Sequence, residues 1–199
     1  GMAPVFGHAV GFDEATISAL LSLTLVGALL LQWPLGWLSD RIDRRWVIVG
    51  TSSVTALAAL GIALFWPQGA GVVLPLAVLL GAAGVPGYSL CVAHVNDHIE
   101  PGEIVAAASG LILVFGAGSA LGPFAASLVM SAVGPGGLFV FMAVTLAAFA
   151  AYALWRLAVA RAPAPASKES FVAVPQTSHA VLPLHAHGTG APSRHVAPQ

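Results

Sequence analysis

Charged residues are scarce in this chain. Lys, Arg, Asp and Glu make up 8% of its 199 residues, and hydrophobic residues make up 58%. Soluble domains carry about 25% charged residues. This number of charges is too small to cover the water-exposed surface of a folded chain of this length. A lipid bilayer must therefore surround most of the chain. The composition therefore predicts an integral membrane protein and excludes an ordinary soluble domain.

The chain also has very little cysteine and a net charge close to zero. Cys91 is the only cysteine, which excludes an internal disulfide framework. The formal net charge of -1 provides no basic field that would attract nucleic acid. The sequence contains no phosphate-binding Walker loop, catalytic triad or zinc-ligand set. We therefore expect no enzymatic activity, no bound metal and no cofactor, and an ATP-driven pump is disfavoured.

Five apolar segments are each long enough to cross a bilayer as a helix, which takes about 20 residues. They lie at residues 15–38, 46–66, 72–95, 103–133 and 138–159. Most charges lie in the joints, since one charge at the bilayer centre costs about 2.5–3.5 kcal/mol. Asp13 precedes the first segment as a helix N-cap. The sequence predicts an all-α, polytopic membrane helix bundle over residues 1–160, with five full transmembrane helices and the end of a sixth.

The basic residues predict the orientation. Arg41, Arg44 and Arg45 lie in the first joint, and the other basic residues lie at or beyond the end of the fifth segment. Basic residues accumulate on the cytoplasmic side of membrane proteins. We therefore expect the first joint and the C-terminus to be cytoplasmic, in the plasma (inner) membrane of a bacterium.

Residues 161–199 differ in composition from the rest of the chain. They are rich in Pro, Ala, Ser and His, and they contain one aromatic residue, Phe171. Such a segment cannot bury enough apolar surface to offset its chain entropy. We expect a disordered cytoplasmic tail, in which the His185 and His187 pair is too weak a pattern to indicate a metal site.

The joint between the first two segments has the most distinctive pattern in the chain. Within ten residues it places Gly36, then Asp40-Arg41, then Arg44-Arg45. Gly36 lets a neighbouring helix approach closely. Asp40 can cap a helix or form an ion pair with Arg41 or Arg44. A basic anchor at any short cytoplasmic joint would look partly similar, but this ordered combination is more specific.

This pattern resembles the cytoplasmic loop signature of the major facilitator superfamily, whose transporters consist of two related six-helix halves. The resemblance covers about residues 1–157 and implies a C-terminal half, from the end of the seventh helix through the twelfth. Gln32-Trp33-Pro34 is similar to an uncharacterised bacterial permease branch. We therefore expect Gly1 to be an internal position, with a missing N-terminal six-helix half as the partner of this one.

The resemblance also implies a role for the loop. Gly36, Asp40, Arg41, Arg44 and Arg45 would form a charge lock that closes the cytoplasmic side while the transporter faces outward. The sequence departs from the family pattern at Asp43, where Gly is usual, and this departure leaves the geometry of the turn open.

Small residues and prolines mark the third and fourth segments. Gly118-x-x-x-Gly122 places two small residues on one helix face, which allows close helix packing. Pro123 and Pro86 each remove a backbone donor and bend their helices. Simple helix packing explains these residues as well as a moving, cavity-lining helix does.

Polar candidates for a solute cavity are few. They are Ser22, Thr24, Gln32, Tyr88, His94 and Ser119. His94 could relay protons with the neighbouring Asp97, or it could be an interfacial histidine bonded to a loop carbonyl. No carboxylate lies inside a segment, so any titrating acid for proton coupling is expected in the missing half.

The sequence thus predicts a secondary transporter of small solutes that works by alternating access, with membrane lipid around it. The scarcity of polar cavity residues favours apolar or weakly polar solutes. The alternative is a self-contained five-span structural or assembly protein, whose glycine-rich faces would be oligomer contacts.

Overall fold

The computed structural model describes residues 2–99 and 103–159, and within them every regular element is helical. The helices are α1 (Ala3–Ala9), α2 (Glu14–Arg41), α3 (Arg44–Phe65), α4 (Ala70–Asn96), α5 (Ile104–Val133) and α6 (Gly137–Val159), with a 3-10 turn at Trp66–Gln68. Helices α2 to α6 are long and apolar enough to cross a membrane. The predicted all-α bundle is confirmed. The tail at 161–199 lies outside the described residues.

Two aspartates begin helices. Asp13 accepts a hydrogen bond from the Thr16 backbone N–H at 3.2 Å and caps α2, as predicted. Hydrogen bonds from Thr16 hold the pKa of Asp13 below its usual value. Asp43 caps α3 by accepting from the Arg45 N–H at 3.0 Å. Its φ of −61° is ordinary for any residue, so the turn does not require the glycine that is usual in the family pattern.

Helix α3 lies at the centre of the bundle. It packs against α4 and α6, and α2 packs mainly against α4. Ala59 and Ile62 of α3 are fully buried. Helix α5 contacts chiefly α6, and Ala126 is its one buried residue among those described. Most of the apolar surface of α5 therefore remains open to lipid or to another protein segment.

Glycines allow α2 and α4 to touch through their backbones. A Cβ atom on Gly81 of α4 would overlap the Thr24 carbonyl of α2, and one on Gly27 would overlap the Val78 carbonyl. The crossing therefore depends on glycine at both positions, as small residues permit in membrane helices. Sequence analysis missed this pair.

Gly118 and Gly122, the small residues that the sequence suggested for close packing, lie in α5 and not at the α2–α4 crossing. No described atom outside the local helix lies within 4 Å of a Cβ built on Gly118 or Gly122. Pro86 and Pro123 lie inside continuous helices, and Pro86 is buried. Close packing at the two glycines and bending at the two prolines therefore stay predictions.

An aromatic cluster closes the bundle at the end opposite Arg44. Phe6 of α1 is fully buried, and its ring lies edge-on to Phe12, Trp66 and Phe139 at centroid distances of 6.3, 6.4 and 4.8 Å. Such edge-to-face pairs contribute about 0.5–1.5 kcal/mol beyond their burial. The cluster fixes α1 against the end of α3 and the start of α6.

We predict that Gly81→Ala destabilises the bundle. The added methyl group would meet the backbone of α2, which cannot rotate away as a side chain can. We expect a loss of about 1–3 kcal/mol in the free energy of unfolding, measured by detergent titration. Gly87→Ala on the same helix is the matched control, because no atom outside the local helix lies within 4 Å of its added Cβ among the described residues. Equal stability of the two variants would contradict the crossing.

Candidate functional site

One end of the bundle, where α2 ends, α3 begins and α4 ends, holds a set of polar side chains. We call Ser39, Asp40, Arg44 and Asp97 the charge cluster, and this end of the bundle the charged end. Arg44 is at the centre, with a side chain only 1% exposed. A buried arginine cannot lose its proton, so it must be neutralised by nearby acceptors.

The guanidinium of Arg44 reaches both neighbouring helices. Its Nε donates to Ser39 Oγ at 2.9 Å, and its Nη2 donates to Asp40 Oδ1 at 3.1 Å. Its Nη1 donates to Asp97 Oδ2 at 3.0 Å. One side chain therefore joins the last turn of α2, the first turn of α3 and the residue that ends α4.

Local structure places these groups. Ser39 and Asp40 lie in the last turn of α2, and the Asp43 cap makes Arg44 the first residue of α3. Asp97 follows the last residue of α4. The planar fork of arginine presents several donors in fixed directions, which suits simultaneous contact with separate acceptors. A lysine, with a single ammonium group, would not match this arrangement.

The two carboxylates of the cluster differ in exposure. The Asp97 side chain is 4% exposed, whereas the Asp40 side chain is 38% exposed. An exposed ion pair is weakened by water, whereas a buried one depends strongly on both partners. Asp97 is thus the buried carboxylate partner of Arg44, and Asp40 is the partly exposed one at the bundle surface.

The other predicted loop residues surround the charge cluster. Gly36 is buried one turn before Asp40. The guanidinium carbon of Arg41 lies 3.5 Å from the centroid of the Trp37 ring, which is a cation–π contact. The Arg45 N–H bonds to Asp43. The structure thus brings the five predicted residues to one end and pairs Asp40 with Arg44.

Sequence analysis missed Ser39 and Asp97 as members of the cluster. Asp97 was considered only as a neighbour of His94. The sequence did contain the information needed to find Asp97. After the first joint the chain crosses the membrane twice, so the end of the third apolar segment must lie on the same side as that joint. An acid at that end is an available partner for a buried arginine.

The predicted cavity residues lie in different surroundings. The Thr24 hydroxyl donates to the Leu20 carbonyl at 2.7 Å, a bond within its own helix. The Tyr88 ring lies 5.1 Å from that of Phe115 on α5. Ser22 and Ser119 are exposed, and Gln32 is half-buried. Their role in solute binding stays a prediction.

His94 lies near the charge cluster in the last turn of α4, three residues before Asp97. Its ring centroid is 4.6 Å from that of His98. Nδ1 of His98 lies 2.8 Å from the carbonyl oxygen of His94. The bond to a carbonyl near the helix end is thus made by His98 rather than by the ring of His94.

Comparison with known proteins gives one consistent result. A sequence model of the Major Facilitator Superfamily matches residues 1–190. An "Uncharacterized MFS-type transporter YcaD" from Escherichia coli O17:K52:H18 is 28% identical over 151 residues, which is 72% of this chain and 36% of the relative. The YcaD proteins of Shigella flexneri and Salmonella paratyphi B have the same identity and coverage. The chain therefore spans about a third of these relatives, and no solved structure matches it.

We predict that Asp97→Ala destabilises the bundle more than Asp40→Ala. Removing Asp97 leaves a buried cation short of a carboxylate, which costs about 3 kcal/mol. Removing the more exposed Asp40 should cost about 1 kcal/mol or less. Detergent unfolding of the two variants measures the difference. The reverse order would contradict the assignment of Asp97 as the buried carboxylate partner.

Proposed function

The chain belongs to the Major Facilitator Superfamily, and on this basis we propose that it forms half of a secondary transporter of small solutes. The transporter would work by alternating access, in which two halves rock about a central cavity. The observation that carries the proposal is the buried Arg44, which ties the family's loop motif on α2 and α3 to Asp97 of α4.

The partner of this half would be a second six-helix half. The matched relatives are nearly three times as long as the matched segment, since it makes up 36% of their length. Exposed apolar residues cover α5, including Leu113, Leu121 and Phe124. These surfaces suit contact with lipid or with the second half. Gly118 and Gly122 would let the second half approach α5 closely.

The charge cluster would close the cytoplasmic side of the transporter. The basic residues of the first joint support a cytoplasmic position for the charged end. Arg44 holds Asp40 at the end of α2, where the Asp40 side chain is partly exposed. Asp40 would then bind the second half while the transporter faces outward, and it would release that half when the cytoplasmic side opens.

The solute would be apolar or weakly polar. Helices α2, α4 and α5 contain no Lys, Arg, Asp or Glu between their end turns. A charged solute would find no opposite charge on this wall of the cavity. Tyr88 and Phe115 instead offer an aromatic surface between α4 and α5. If transport is coupled to protons, the acid that titrates would belong to the second half.

A structural protein without a transport cycle is the weaker alternative. Such a protein has no need for a buried arginine that holds a partly exposed carboxylate in the loop motif of a transporter family. No contact among the described residues favours this alternative.

We predict that Asp40→Asn abolishes or strongly reduces transport without preventing insertion. Asn can still accept a hydrogen bond but lacks the charge, which lowers the bond that Asp40 would make to the second half from about 1.5–3 to about 0.5–1.5 kcal/mol. The closed state should therefore be weakened by about tenfold. Efflux of Nile red, a neutral apolar dye, from cells that produce the full-length protein is the measurement. Asp13→Asn, at the opposite end of α2, is the matched control. Unchanged efflux by Asp40→Asn at equal membrane amounts would contradict the lock, and no efflux by the wild type would contradict the solute class.

A further inference from the structure

A histidine pair lies at the charged end, where His94 is three residues before Asp97, and the proposed transport function does not use it. His94 and His98 are separated by one helical turn, and their ring centroids are 4.6 Å apart. Histidine is the side chain whose charge ordinarily changes between about pH 5 and pH 8. A histidine next to a buried ion pair can therefore make that ion pair depend on pH.

Charges of both signs act on His94. The charged groups at this end are Asp97 and, when protonated, His98 beside it at the end of α4, together with Arg44 and Arg45 at the start of α3. Asp40 of α2 is connected to this group through Arg44. Asp97 favours a proton on His94, whereas the two arginines and a protonated His98 oppose it. The balance changes if the arginines move relative to α4.

The two histidines differ in what protonation changes. A carbonyl oxygen can only accept, so the Nδ1–H of His98 donates to the His94 carbonyl. Imidazole and imidazolium can both make this bond, so protonation of His98 leaves it intact. The His94 ring is half-buried and lies three residues before Asp97, on the adjacent side of the helix. Protonation of His94 therefore introduces a new competitor for the Asp97 carboxylate.

We propose that His94 is a proton-sensitive switch of the charge cluster, which weakens the Arg44–Asp97 contact when its ring is protonated. The imidazolium attracts the Asp97 carboxylate that Arg44 now holds at 3.0 Å. It also repels Arg44 and Arg45 at the start of α3. Both effects favour a state in which the first turn of α3 has moved away from the end of α4.

Thermodynamic linkage between proton binding to His94 and the movement of α3 determines the direction of the pH effect. The proton binds more tightly to the state in which the arginines have moved away, because those cations oppose it in the closed state. Acidification must therefore shift the population toward that state, and the shift must reverse as the pH rises. Acid on this side of the membrane would thus loosen the lock.

The consequence for gating rests on the proposed transport function, but the pH dependence of the contact does not. A measurement on the contact itself can therefore fail while transport is confirmed, or succeed while transport is absent. Hydrogen exchange of residues 39–46 provides such a measurement, because this segment includes the end of α2 and the first turn of α3.

The experiment follows hydrogen exchange by mass spectrometry in the full-length protein in lipid nanodiscs, between about pH 5 and pH 8. Observed rates are divided by the intrinsic exchange rate at each pH. For the wild type we expect protection of residues 39–46 to fall by about fivefold or more at the acid end, which is the lower limit of typical coupling between sites. His94→Gln should remove this dependence.

Two further variants make the test specific. His98→Gln is the matched control and should keep the pH dependence. Arg45→Gln should move the midpoint of the transition to higher pH, because it removes a cation that opposes the proton. A wild type without pH dependence, or a dependence that survives in His94→Gln, would overturn the proposal. Loss of the pH dependence in His98→Gln but not in His94→Gln would show that His98 is the switch, and it would also overturn the proposal.

Discussion

The fixed arrangement of α2, α3 and α4 depends on one buried cation. Arg44 is almost fully enclosed and donates to Ser39, Asp40 and Asp97. An isolated buried charge costs several kcal/mol, so the guanidinium is tolerated only while its partners stay in place. The ends of three helices are therefore held together by one side chain. The Asp43 cap contributes by setting the residue at which α3 begins.

A second contact makes these helices a single unit. The backbones of α2 and α4 meet at Gly27 and Gly81, away from the charged end. Two separated contacts resist both separation and rotation of the helix pair. Among the described residues, helix α5 makes few contacts with α4, and one of them joins the rings of Tyr88 and Phe115. The proposed rocking of two halves requires such a unit, with looser helices at its edge.

The sequence allowed the helices to be predicted because membrane insertion depends on local composition. The five predicted segments begin and end within three residues of helices α2 to α6, whereas no bounds were predicted for α1. The loop motif left capping, Arg41 and Arg44 open as partners for Asp40, and the structure pairs it with Arg44. The Asp97 partner and the Gly27–Gly81 crossing were missed, because they depend on how distant segments align in space. Gly118-x-x-x-Gly122 has the expected spacing, yet no described helix packs closely against it.

The most direct test of this account is a double-mutant cycle between Arg44 and Asp97. The free energy of unfolding in detergent would be measured for the wild type, Arg44→Ala, Asp97→Ala and the double variant. The account predicts that the two single effects fail to add by about 1 kcal/mol or more, as expected for residues in one buried network. Additivity within about 0.3–0.5 kcal/mol would contradict it, because the two side chains would then be energetically independent.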